Sequence, residues 1–99
     1  MFDKMKQLMD MQKKMQEVKR QLEETNFDVL SSDGLFKITM NGAQLVKAVS
    51  IQADLQSTDK ATLEKAALDA YNRAIKRSHD LAAEKMKGVT AGFNIPGLT

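Results

Sequence analysis

The chain contains no cysteine, no tryptophan, one histidine (His79), one proline (Pro96) and only five aromatic residues, four phenylalanines and a tyrosine. Without cysteine there is no disulfide framework and no thiolate metal site, and the chain fits a reducing compartment. One histidine cannot form a histidine cluster. Apolar runs of the ~20 residues that a membrane span requires are also missing. Asp3, Lys4 and Lys6 stand where a signal peptide needs an apolar segment, so a soluble cytoplasmic protein is expected. Ninety-nine residues make one domain. With 42% hydrophobic and 28% charged residues the composition is that of a folded protein.

What the chain does have is an uneven distribution of charge. Residues 1–22 carry Lys4, Lys6, Lys13, Lys14, Lys19 and Arg20 against Asp3, Asp10 and Glu17. Residues 23–69 hold eight acids and four lysines, and residues 70–99 hold Arg73, Lys76, Arg77, Lys85 and Lys87 against Asp80 and Glu84. A formal net charge of +2 therefore conceals two basic ends around an acidic middle. That pattern points to a polyanion partner.

Hydrophobic spacing predicts the order α-β-β-β-α, an α+β fold with a small antiparallel sheet and two long helices. Met1, Leu8, Met15 and Leu22 recur every seven residues with Met11 and Val18 between them, which predicts a helix over 1–25. On its outer face Asp3, Asp10 and Glu17 lie three residues before Lys6, Lys13 and Arg20, close enough to pair. Alternating residues predict three strands within 26–52. The first two are separated by Ser31-Ser32-Asp33-Gly34, and Asn41-Gly42 is the sequence of a type I′ hairpin turn. Broken parity in the third strand suggests a bulge near Lys47. A second helix is expected over 58–88, with capping oxygens at Ser57, Thr58 and Asp59 and a left-handed cap at Gly88. Residues 89–99 read as an irregular tail.

Two helices of ~33 and ~43 Å are too long for so small a sheet to cover. They should project together as an antiparallel pair, and a second copy should bury the remaining sheet edge and apolar face, giving a homodimer. The ends farthest from the sheet carry Lys4, Lys6, Lys85 and Lys87. Lys4, Lys14 and Lys19 flank the apolar seam, while Lys6 and Lys13 are balanced by the acidic row. Arg73, Lys76 and Arg77 form a second cluster, with Asp69 and Asp80 a turn away. These ten residues are the candidate DNA contacts.

Other chemistry has little support. His79 has no nucleophile partner and reads as an exposed helix residue. Asp54 and Asp59 read as turn and cap residues rather than metal ligands, and Gly88 and Gly92 do not form a phosphate loop. No catalytic group, metal, cofactor or small-molecule substrate is expected. The methionines of the first helix are packing residues in the plain reading and an adaptable docking face for a partner helix in the alternative one. Phe27, Phe36 and Tyr71 read as buried, which leaves no aromatic platform for single strands and favours duplex DNA.

The ordered set of segments resembles the YbaB/EbfC nucleoid-associated proteins over nearly the whole chain. It comprises the Met5–Gln21 opening helix, Gly34-x-Phe36-x-Ile38 leading to Asn41-Gly42, Val49-x-Ile51, Ala70-Tyr71-Asn72-Arg73-Ala74 and the Gly92-to-Gly97 tail. The resemblance implies a homodimer whose helical arms hold duplex DNA like tweezers with little sequence preference, located at the nucleoid.

Overall fold

In the computed structural model, which describes residues 2–90, five elements follow one another: α1 (Phe2–Glu24), β1 (Asn26–Leu30), β2 (Phe36–Asn41), β3 (Val46–Ile51) and α2 (Lys60–Thr90). The strands form one antiparallel sheet in the order β1-β2-β3. The molecule extends over 68 × 23 × 14 Å with a radius of gyration of 18.7 Å, against ~13 Å for a compact domain of this length. The excess arises because the sheet spans only part of each helix.

The core is the layer between sheet and α2. Phe27, Ile38 and Met40 meet Ala70 and Ala74, with Val29, Phe36, Ile75 and Leu81 around them. Ala66, Ala70, Ala74 and Ser78 recur every fourth residue and are buried. They form a stripe of small side chains along one side of the helix, and such residues let its backbone approach the strands. Asp59 caps α2, its carboxylate accepting the Thr62 amide at 2.8 Å. Hydrogen bonds from Thr62 hold the Asp59 carboxyl below its ordinary pKa.

The junction of α1 with the sheet sets the direction of the helix pair. The last carbonyls of a helix lack intrahelical partners, and here the sheet supplies them. Gly42 donates its amide to Leu22 O at 2.8 Å and Thr25 O at 3.1 Å, while the Asn41 side chain donates to Glu23 O at 3.1 Å. On the other side, the Ser78 hydroxyl donates to Gly42 O at 2.9 Å. Asn41-Gly42 therefore is not a type I′ turn. Neither residue has a positive φ, and the left-handed position is Gln44, at 67°. The Asn41 carboxamide accepts the amides of Ala43 and Leu45 and holds a three-residue loop instead.

Glycine is required at position 42 by contact rather than by φ. A Cβ there would lie 2.7 Å from Leu22 Cδ2 and 3.0 Å from Leu22 O. Gly42→Ala is expected to lower stability by about 1–3 kcal/mol, the usual cost of overpacking, seen as a lower denaturant midpoint.

The bulge in β3 is present, with Lys47 lying between the Thr39–Ala48 and Met40–Val46 pairs. Gly88, in contrast, does not cap α2. The helix runs through it to Thr90, which keeps Val89 in phase to be buried. Burying a valine is worth about 1.5–3 kcal/mol, more than the ~1 kcal/mol a helical glycine costs. Residues 89 and 90, expected in the tail, are thus helical. Met1 and 91–99 lie outside the described residues.

Candidate nucleic-acid interface

Past the sheet the two helices run on as an antiparallel pair. Leu22 packs at Gly42, and Gly42 is hydrogen-bonded to Ser78, so these points on α1 and α2 stand level. Eleven residues farther out, ~16 Å along each helix, Met11 is half-buried and Val89 buried, with Val18 buried in between on α1. Lysines from both ends of the chain, separated by the whole acidic middle, thereby share one arm, those of α2 matched in number by Asp80 and Glu84. Lys4, Lys6, Lys13, Lys14 and Lys19 are exposed on α1; on α2, Lys87 is exposed and Lys85 half-buried.

The outer row of α1 pairs only at its sheet end. Arg20 lies between Glu17 and Glu24, bonded to both. The Arg20 hydrogen bond draws the Glu17 carboxyl below its ordinary pKa, and the same bond raises that of Arg20. Among the described residues no ion pair joins Lys6 to Asp3 or Lys13 to Asp10. Lys6 and Lys13 are therefore less neutralised than the spacing predicts.

Arg73, Lys76 and Arg77 are exposed but lie elsewhere, on the stretch of α2 that crosses the sheet. Arg73 Nε is 3.1 Å from Asp69 Oδ2, and that carboxylate also accepts the Ser32 amide at 2.7 Å. The Ser32 hydrogen bond is the main cause of the lowered Asp69 pKa. The Arg77 guanidinium sits over the Phe27 ring, 5.3 Å from its centroid. Both contacts place this cluster on the β1 flank of α2.

The opposite flank is apolar and uncovered. At about 100° per residue Leu68 lies about 180° round the helix from Arg77, and Tyr71 about 160° from Arg73. Tyr71, expected to be buried, is 45% exposed, and Leu68 is 62% exposed. Next to them, Val49 and Ile51 of β3 pair with Ile38 and Phe36, so they share the helix-facing side of the sheet. Yet Val49 is 59% and Ile51 47% exposed, because α2 packs over β1 and β2 and leaves β3 uncovered. The sequence led to an uncovered sheet edge and apolar face but not to its residues, since these are hydrophobic and helix- or strand-periodic like those of the core. The one available signal was that the third strand had no helix left to cover it.

Among the described residues there is no group of three or more His, Cys, Asp or Glu side chains that could hold a metal, and no helix is long and apolar enough to cross a membrane. The arrangement offers basic side chains on a rigid arm, suited to a linear polyanion. Comparison with known proteins agrees with that chemistry. The model of the YbaB/EbfC DNA-binding family matches residues 1–93. An uncharacterized protein from Helicobacter pylori, known from its crystal structure, shares the fold with a TM-score of 0.66 at 19% identity. The match covers 93% of this chain and 95% of that one.

Proposed function

Because the chain belongs to the YbaB/EbfC DNA-binding family, we propose that it is a nucleoid-associated, cytoplasmic homodimer that holds duplex DNA on its helical arms. The observation that carries this reading is that Lys85 and Lys87 join the basic α1 on one arm that outreaches the sheet. Lys4, Lys6, Lys13, Lys14, Lys19, Lys85 and Lys87 are the phosphate contacts of that arm. They are flexible point charges without a planar fork for a base edge. Contacts to phosphate position a protein and carry no sequence information, so binding has low sequence specificity.

The second copy is held by the uncovered face of Val49, Ile51, Leu68 and Tyr71, next to the open edge of β3. A contiguous exposed apolar patch of this kind suits association, and a two-fold axis buries it against itself. Two arms then emerge from one platform. Eight of the 13 acidic residues lie in residues 23–69, which include the whole sheet, so the arms lead in a first encounter.

Titrating a long duplex with the dimer across a salt series tests the reading. Log affinity should fall linearly with log salt, by about 0.9 for every phosphate neutralised. A folded dimer that shifts no duplex at low salt rules the reading out.

A second reading has an observation in its favour. Met5, Leu8 and Met9 are more than half exposed on the arm, as an adaptor docking a partner's helix would require. In that case charge reversal on the arm leaves function intact, and a polar residue at Leu8 or Met15 abolishes it.

A further inference from the structure

Arg73 and Arg77 lie on the β1 flank of α2, away from the face that the proposed dimer buries, and Lys76 points outward between the two flanks, about 80° round the helix from Leu68. The orientation of this cluster is set by two tertiary contacts, Arg77 on Phe27 of β1 and the Ser32 amide, after the end of β1, on Asp69, which pairs with Arg73 within the helix. The self-association face, with Leu68 and Tyr71, is on the other side of the same helix turns, against uncovered β3. A two-fold axis through that face leaves one cluster on each outer side of the platform, pointing in opposite directions. Neither can reach a duplex lying between the arms.

From this placement we propose that the dimer has a second pair of duplex-binding surfaces, formed by Lys76 and Arg77 with Arg73 beside them, and that it bridges separate DNA duplexes. The inference rests on the arm-binding dimer described above and adds a second ligand of the same chemistry, a phosphate backbone. Within the cluster the residues differ in role. Arg73 is already paired with Asp69, and it fixes the local geometry. Arg77 is exposed and held by its contact with an aromatic ring, which preorganises a guanidinium for phosphate. Lys76 is exposed beside it, with Asp80 the acid one turn farther along. Two contacts on each side suit a site filled only after the arms have engaged a first duplex. The effective concentration created by tethering then makes up for modest intrinsic affinity. Bridging of this kind gathers distant segments of DNA, a function that arms gripping one duplex do not supply.

A bead-capture experiment reads the second site separately from the first. Biotinylated duplex on beads is saturated with the full-length protein, and capture of a second, fluorescent duplex is measured beside an ordinary gel shift. Wild-type protein should capture the second duplex. Lys76→Gln with Arg77→Gln should reduce capture at least ~10-fold, since one phosphate contact at 0.1 M salt is worth about that factor, and should change the single-duplex shift less than ~3-fold. Lys76→Glu, which leaves the Phe27 contact in place, should reduce capture in the same direction if the double variant is unstable. Capture unchanged in both variants overturns the bridging surface alone, as does wild-type protein that shifts one duplex and captures no second. A wild-type dimer that shifts no duplex at all overturns the arm reading, and this inference with it.

Discussion

Val49→Asp combined with Tyr71→Glu is expected to turn the dimer into a monomer without unfolding it. In the two-fold pairing proposed, the two substitutions put four carboxylates into an apolar interface. Central interface residues cost about 2 kcal/mol or more each on truncation, and a buried unpaired charge costs more. Even the lower figure raises the dimer Kd by more than ~10⁴-fold. The fold should tolerate the change, because Val49 and Tyr71 are 59% and 45% exposed in the protomer and belong to neither the Phe27–Met40 cluster nor the partly buried residues around it. Sedimentation should report one chain instead of two, with the far-ultraviolet dichroism unchanged. Binding of long duplex should weaken as well, since two arms on one platform act through effective concentration and single arms do not. If the variant sediments as wild type does, the face of β3 and α2 is not where the copies meet.

The second large effect is expected at the arm tips. Reversing Lys4, Lys6, Lys85 and Lys87 to glutamate changes eight positions in a dimer, each from attraction to repulsion of phosphate. At about a factor of ten per contact in 0.1 M salt, loss of only three contacts lowers affinity ~10³-fold. The salt slope should flatten by about 0.9 for each contact removed. Surface substitutions of this kind usually alter stability by less than ~0.5 kcal/mol, so the thermal midpoint serves as the control. Retained affinity with an unflattened slope would transfer the DNA contact to other residues. The partner-docking reading of Met5, Leu8 and Met9 would then become the stronger one.

Both experiments depend on features that differed in how readily the sequence showed them. Heptad spacing in α1 and alternation in β2 announced their elements directly, because a repeat of about 3.6 or 2 residues states which side of the element is apolar. Asp59 before a helical run and the parity break at Lys47 were equally local, and each is where the spacing placed it. Local rules failed wherever a distant contact outweighed them. Asn41-Gly42 has the composition of a two-residue turn, but Leu22 presses on Gly42 from another element and the loop closes one residue later. Gly88 suits a helix end by propensity, yet the burial of Val89 carries α2 past it. For the candidate site, all ten basic residues were visible as charges. Their division into an arm set and a lateral set was not, because Phe27 and Ser32, which position the lateral set, lie some 40 to 50 residues away in the chain.

From the sequence alone follow the order of elements, the segregation of charge and a length of helix that no three-stranded sheet can cover. These depend on the periodicity and reach of a single segment. Only the tertiary structure decided that Lys85 and Lys87 share an arm with α1 while Arg73, Lys76 and Arg77 do not, and that Tyr71 faces solvent while Ser78 is buried. Those outcomes depend on which side of one element meets another. Two flanks of a helix can be equally apolar in sequence, and packing covers just one of them.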